Sequence, residues 1–230
     1  LLRGLTVRYV LGQHPVSLLD RCDRVVQNPG VPRELPLLGV ARRRGIPIEN
    51  EATLFLARCT SRPLVGVTGS KGKSTTATLL GSMLSTARTH AIVAGNIRDT
   101  FMLDALPRLR RATPVVLELS SWQLELVAES GQAVPVAVVT NVFPEHLNRY
   151  PSLAAYARAK TGIFLNQDSN SVTVLNYGNP TTRAFARIAP GRVVWFSAAR
   201  NLPRKSRGVV VRSGWAVFTS RFIPVVRHFI

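Results

Sequence analysis

Gly69, Ser70, Lys71, Gly72, Lys73, Ser74 and Thr75 are consecutive and are of the types that handle a phosphate. Ahead of them Leu64, Val65 and Val67 form a short apolar run that reads as a buried strand. After them Ala77, Leu80 and Leu84 recur at helical spacing, with Leu79 and Met83 widening the stripe. A glycine-rich turn between strand and helix presents backbone N–H groups without intrahelical acceptors, and the helix dipole favours an anion there. In such a loop Lys73 reaches the outer phosphates and the Ser74 hydroxyl holds Mg²⁺. Val67 stands where the generic P-loop pattern has its first glycine, so the alternative is an ordinary strand-to-helix turn.

Further along, two more apolar runs end in polar side chains. Val115, Val116 and Leu117 lead into Glu118-Leu119-Ser120-Ser121-Trp122-Gln123-Leu124-Glu125. Burying that first carboxylate is costly without a partner, and a Mg²⁺ shared with Ser74 is one such partner. The alternative is a helix start capped by Ser120 or Ser121, with Glu118 solvated. Val136 to Thr140 lead into Asn141-Val142-Phe143-Pro144-Glu145-His146-Leu147-Asn148-Arg149-Tyr150. A lone histidine is more often structural, but this one follows a strand of the same sheet as the phosphate loop, which suits a metal or substrate role. Lys160 falls on the helical turn after Tyr156 and is one of four lysines among 30 basic residues. Only an amine, not a guanidinium, can be deprotonated or carbamylated at such a site.

Positioning these groups requires an α/β frame. Apolar strand-like runs at Leu64–Val67, 91–93, 115–119, 136–140, 172–175 and 193–196 alternate with helical stretches near 74–86, 122–129, 152–165 and 180–188. That alternation predicts a parallel sheet flanked by helices, with ligands outside the carboxyl ends of the strands. Ahead of it, Asp23 to Val26 reads as a short strand closed by the Asn28-Pro29-Gly30-Val31-Pro32 turn. Leu35 to Arg44 reads as a helix with Leu37, Leu38 and Ala41 on one side and Gly45 as its cap. Ile46 to Ile48 is extended, and Glu51 to Arg58 is helical with Leu54 and Phe55 inward. The change of character at Ser61-Arg62-Pro63 places a domain boundary there. Residues 1–62 then form a partial Rossmann-like α/β domain, because no opening strand and glycine turn precede them; 63–197 form the P-loop domain. Residues 198–230 are a divergent end carrying a hairpin, Val209 to Phe218, over a Ser213-Gly214 turn.

Composition narrows the partners. No apolar run approaches the ~20 residues of a membrane span, so no membrane partner is expected. The net charge is +18, and residues 169–230 hold ten basic side chains and no acid. Without zinc-finger spacing, an RNA-recognition motif or aromatics among the arginines, nucleic acid is not an expected partner. Cys22 and Cys59 have neither metal nor pairing logic and read as reduced cytoplasmic thiols. The chain begins at Leu1 rather than Met and shows no charged-then-apolar leader, which reads as processing or a fragment.

Gly66–Thr75 (GVTGSKGKST), Gly95-Asn96-Ile97, Leu117–Glu125 (LELSSWQLE) and Thr140–Lys160 (TNVFPEHLNRYPSLAAYARAK) together resemble the Mur ligases. The Ser-Ser-aromatic-Gln-Leu-Glu run and His-x-x-Arg-Tyr resemble the D-glutamate-adding branch. The Asn28-Pro29-Gly30 and Gly45–Phe55 stretches resemble the family's uridine-nucleotide-binding domain. The resemblance implies a cytoplasmic, monomeric ligase that uses ATP and two Mg²⁺ ions to join UDP-N-acetylmuramoyl-L-alanine to D-glutamate through an acyl phosphate. It further implies that Gly69 to Thr75 hold ATP and that Ser74 and Glu118 bind one Mg²⁺. His146 and a carbamylated Lys160 bind the other, and Asn28, Asn96, Ser120 and Gln123 contact substrate. Lys73, His146 and Lys160 are the implied catalytic residues. Glu145 and Asn148 depart from the family, which usually has Asp at both positions. The recognisable similarity fades after about Ser197, and no C-terminal ligase domain follows. Two other readings stay open: a non-catalytic nucleotide-binding remnant, and another amide ligase of the Mur or folylpolyglutamate type.

Overall fold

Apolar runs bounded by turn residues dictate most of the elements of this chain. In a computed structural model, the described residues are 4–230 except 87, 98–99, 199–201, 204–205, 213–214, 219–223 and 228–230. They divide into two units, residues 1–50 and 51–230.

In the first unit, β1 (Val25–Val26) and β2 (Ile48–Glu49) pair in parallel, joined through helix α1 (Pro36–Arg43). Leu37 and Ala41 of α1 pack with Leu19, which a 3-10 turn at Val16–Arg21 supplies. That turn has no apolar periodicity and is not legible in the sequence. The end of α1 is closed by Gly45 and Ile46 N–H groups bonding the Arg42 and Ala41 carbonyls. Arg24 pairs with Glu49 at 2.7 Å, and Arg44 with Asp20 at 2.8 Å.

The second unit opens with α2 (Glu51–Leu56), ahead of the Ser61–Pro63 change of character, and buries Ala52 and Phe55 in this unit's own core. There follow β3 (Leu64–Thr68), α3 (Lys73–Leu84), β4 (Ile92–Gly95) and the single turn α4 (Met102–Ala105), then β5 (Val115–Glu118) and α5 (Ser121–Glu129). Next come β6 (Val136–Val139), α6 (Leu153–Thr161), β7 (Val172–Asn176), α7 (Pro180–Phe185) and β8 (Arg192–Ser197). Three strands close the chain: β9 (Gly208–Arg212), β10 (Trp215–Phe218) and β11 (Pro224–Arg227). All lie in one sheet of order β11-β10-β9-β8-β7-β6-β3-β5-β4. It is parallel from β4 to β9 and antiparallel from β9 to β11. The expected hairpin is thus the β9–β10 pair, while its Ser213-Gly214 turn lies outside the described residues.

Strand β3 is buried at every residue, and its side chains alternate between two cores. Leu64 faces the larger one, with Leu117, Val139, Leu124, Tyr156 and Phe164; Val65 and Val67 face α3, with Val116 and Val138. The expected apolar stripe of α3 is narrower than its sequence suggests. Ala77 is buried and Leu80 and Leu84 pack on the sheet, but Leu79 and Met83 are 51% and 72% exposed. Gly81 is the cause: a Cβ there would stand 2.2 Å from Val93, so backbone rather than a broad side-chain face meets the sheet.

Helices α5 and α6 approach equally closely on the other face. A Cβ at Gly162 would fall 2.2 Å from the Leu124 carbonyl oxygen and 3.2 Å from the Ala128 side chain. Neither backbone can yield without moving a core helix. Gly162→Ala is therefore expected to lower stability by about 2 kcal/mol, read as a lower urea midpoint; an unchanged midpoint would refute this close approach.

Candidate functional site

From β3 the chain runs to β4 and β5 on one side and then crosses to β6 on the other, so the β3–β6 seam is a topological switch point. Gly69 leaves β3 at φ +148°, and a Cβ on it would lie 1.9 Å from Thr140 Oγ1 at the end of β6. Only glycine fits that crossing. Thr140 Oγ1 donates to the Lys71 carbonyl at 2.7 Å, and Asn141 brackets the loop. Its carbonyl accepts from Ser70 N–H (2.9 Å), its Oδ1 from Lys71 N–H (2.9 Å), and its Nδ2 donates to the Lys71 carbonyl (3.1 Å). The Ser70 side chain points inward, accepting from Phe143 N–H at 2.9 Å, with its Oγ 3.3 Å from the Tyr156 hydroxyl.

With those N–H groups engaged, the anion-facing donors are the ones that follow. Gly72, at φ +81°, caps α3 without a side-chain bond, and the first intrahelical acceptor serves Thr76 N–H at 3.0 Å. The N–H groups of the preceding turn therefore face outward by helix geometry. Ser74 and Thr75 are exposed there. Lys73 Nζ rests on the Ser70 carbonyl at 2.9 Å. Lys71 is ion-paired with Glu145, and this bond holds the Glu145 carboxyl below its ordinary value.

Beneath the loop, Lys160 is 1% exposed; its Nζ donates to the Gly69 carbonyl at 2.9 Å and lies 4.5 Å from the centre of the Tyr156 ring. Burial, aided by the nearby Lys73 charge and opposed by Glu145, pushes its ammonium down to about 7. His146 is exposed and adopts φ +54°; its ring meets Trp122 and Tyr156 edge-on, each at 5.7 Å. Tyr156 is thus the shared neighbour of Ser70, His146 and Lys160.

On the other flank of β3, Glu118 pairs in register with Val67 and is 2% exposed. Asn96 Nδ2 donates to its Oε1 at 3.3 Å, while its Oε2 is buried with no hydrogen-bond partner. The alternative in which this carboxylate is solvated does not hold. Ser120 does cap α5, in a full capping box: its Oγ accepts from Gln123 N–H at 3.2 Å and Gln123 Oε1 accepts from Ser120 N–H at 2.9 Å. Asn28 belongs to the first unit, where its Oδ1 accepts from Gly30 N–H at 2.8 Å.

An orphaned carboxylate oxygen fits a hard cation, and the uncapped helix start fits a phosphate. Among the described residues no three His, Cys, Asp or Glu side chains converge. A metal here would therefore draw on a carboxylate, a hydroxyl and the oxygens of a ligand, the donor set that suits Mg²⁺. The second unit accordingly brings Gly69 to Thr75, Glu118, Asn96, His146 and Lys160 to one end of the sheet. Sequence reasoning missed Thr140, Asn141 and Tyr156 as supports of the loop. The Thr-Asn pair directly after an apolar strand was the available signal for the first two.

Residues 67–214 match the Mur ligase middle domain family, past Ser197, where the recognisable motifs end. The chain is 42% identical over 200 residues to UDP-N-acetylmuramoylalanine–D-glutamate ligase of Roseiflexus sp. (strain RS-1), covering 86% of this chain and 42% of that protein. The enzyme of the same name from Symbiobacterium thermophilum is 42% identical over 196 residues, covering 85% and 42%; that from Geobacter metallireducens is 37% identical over 217, covering 94% and 46%. The chain thus spans less than half the length of these curated relatives. Among solved structures, the UDP-N-acetylmuramate:L-alanyl-gamma-D-glutamyl-meso-diaminopimelate ligase from Neisseria meningitides superposes with a TM-score of 0.55 at 14% identity, over 90% of this chain and 68% of that one. A UDP-N-acetylmuramoyl-L-alanyl-D-glutamate–2,6-diaminopimelate ligase gives 0.51 at 22%, over 69% and 37%. These two likenesses concern the fold.

The buried amine gives a test of the geometry. The unfolded chain keeps the Lys160 proton to near 10.5, whereas the folded chain releases it near 7. Between those values the unfolded state binds more protons, so this group makes stability rise with pH. Urea titrations at the two ends of that window are expected to show a smaller rise for Lys160→Met than for the wild type. Equal rises would mean that Lys160 is solvated.

Proposed function

The chain belongs to the Mur ligase family, and from that premise we propose that it carries the ATP-handling half of a UDP-N-acetylmuramoyl-L-alanine:D-glutamate ligase of peptidoglycan precursor synthesis. The observation that carries the reading is Glu118, a buried carboxylate with one unpartnered oxygen beside the strand that feeds the phosphate loop. A carboxylate so placed is costly unless a cation joins it. The identity of this chain with the D-glutamate-adding enzymes supports the choice of substrate.

In this reading the N–H groups at the start of α3 hold the ATP phosphates, and Lys73 swings from the Ser70 carbonyl to the γ-phosphate. Ser74 and Glu118 hold one Mg²⁺, and His146 with Lys160 holds a second. Lys160 does so as a carbamate, because an amine released near neutral pH can react with CO₂ and then offers oxygens. When bound, the two ions neutralise charge that builds on phosphate and carboxylate oxygens. The substrate carboxylate takes the γ-phosphoryl group with loss of ADP; the D-glutamate amine then attacks the acyl carbon, the carbon–oxygen bond to phosphate breaks, and the proton lost from nitrogen goes to the departing phosphate. Asn96 orients Glu118 and the muramoyl-alanine moiety. Ser120 and Gln123 act through the capped start of α5, and Asn28, in the first unit, contacts the uridine nucleotide. By sequence, residues 1–62 are assigned to the uridine-nucleotide domain, 63–197 to the ATP domain and 198–230 to its sheet extension, but α2 (Glu51–Leu56) packs into the core of the second unit. The setting is cytoplasmic and the chain monomeric, and the free thiols of Cys22 and Cys59 suit a reducing compartment.

Calorimetric titration with ATP, with and without Mg²⁺, tests this reading. Mg²⁺-dependent binding is expected, weakened by at least about tenfold in Lys73→Ala. Glu118→Gln is expected to lose the Mg²⁺ dependence while keeping metal-free binding. No binding by a wild-type chain with intact circular dichroism would leave a fold that retains the motifs without their function.

A further inference from the structure

The opposite end of the sheet carries no part of that site, and it is strongly charged. The amino ends of three neighbouring strands, β3, β5 and β4, align there, with Leu64 opposite Val115 and Val115 opposite Ile92. The segments entering them contain Arg58 and Arg62, then Arg108, Arg110 and Arg111, then Arg88. All six are exposed, and none of the three segments contains an acid.

These segments are tied together rather than loose. Arg62 N–H donates to the Arg111 carbonyl at 2.8 Å, and Ser61 Oγ to the Arg110 carbonyl at 2.8 Å. Val115 N–H bonds the Pro63 carbonyl and Ile92 N–H the Pro114 carbonyl, at 2.9 and 2.8 Å. Strand spacing places the backbones of neighbouring segments about 5 Å apart, so the six residues gather at one end of the sheet. Among the described residues none of the six pairs with a carboxylate. Arg58, Arg62 and Arg110 bond only nearby carbonyls, of Leu54, Ser61 and Leu109. Arg58 closing the last turn of α2 is an ordinary structural role, but it accounts for one of six. Like charges gathered at one end without counter-charge repel one another unless an outside anion supplies it.

We propose that this face docks on an anionic phospholipid surface. Guanidinium groups match phosphate bidentately, and several basic side chains on one face are what a lipid headgroup layer attracts. A single-stranded nucleic acid needs aromatic platforms for its bases, and these three segments contain no Phe, Tyr or Trp. Among the described residues no helix is long and apolar enough to cross a membrane, which is no obstacle, because such docking is electrostatic and peripheral. The phosphate loop lies at the other ends of the same strands, so a docked chain keeps its nucleotide site turned to solution.

The test is flotation of the full chain with vesicles of phosphatidylcholine alone or with about 30 mol% phosphatidylglycerol, at low salt and at about 0.5 M salt. Binding is expected only with phosphatidylglycerol and only at low salt. Arg62→Gln/Arg110→Gln/Arg111→Gln is compared with the equally charged Arg42→Gln/Arg43→Gln/Arg187→Gln, both checked for folding by circular dichroism. The first is expected to weaken binding roughly a hundredfold and the second by less than about threefold. The proposal fails if the wild type does not float, or if the two triple variants weaken alike. It also fails if the first triple variant loses affinity for a labelled oligonucleotide that the wild type prefers to vesicles.

Discussion

The site rests on one crossing of chain segments, where Gly69 leaves β3 against the hydroxyl of Thr140. The phosphate loop has no regular hydrogen-bonding partners of its own, so something outside it must fix its path. Thr140 and Asn141 do this from the end of the neighbouring strand, and Lys160 does it from below through the Gly69 carbonyl. By occupying the N–H groups of Ser70 and Lys71, Asn141 leaves the first turn of α3 as the place where donors stay open. The clamp exists only because β6 returns next to β3. Sheet order thereby determines which donors remain for the ligand.

Much of the frame was legible because buried parallel strands are continuous apolar runs and their helices alternate with them. Leu64–Thr68, Val115–Glu118 and Val136–Val139 stand out against charged surroundings. The turn α4 and the 3-10 turn before β1 did not, since a few residues show no period. Leu79 and Met83 misled for a different reason. Amphipathic spacing identifies a face but not how wide it is, and Gly81 narrowed it by admitting Val93. In the site, glycine, lysine and hydroxyl types marked the phosphate loop, whereas Lys160 was distinguishable only as a rare lysine. Its burial and the bond it makes come from tertiary packing, which spacing does not encode. Ser120 and Gln123 show the same limit, for a capping box and a binding pair are written with the same residues.

The excess of basic residues acquires meaning once placed. Near the phosphate loop two cations have acidic partners, Lys71 with Glu145 and Arg149 with Glu125, while Lys73 and Lys160 bond backbone carbonyls. Trp122 stacks beneath Arg149 at 4.6 Å, so even the aromatic that meets His146 is braced by a paired charge. At the far ends of the same strands arginines outnumber acids. A single net charge conceals this polarity along the strand direction.

Position 95 shows how little room inheritance has at such a site. Gly95 ends β4 at φ +113°, and its Cα faces the backbone carbonyl of Glu118 so closely that a Cβ would lie 2.2 Å from that oxygen. Every other amino acid carries a Cβ. Each would press on the residue that holds the unpartnered carboxylate, and no smaller side chain is available as an intermediate. Holding Glu118 in this geometry therefore requires glycine at 95.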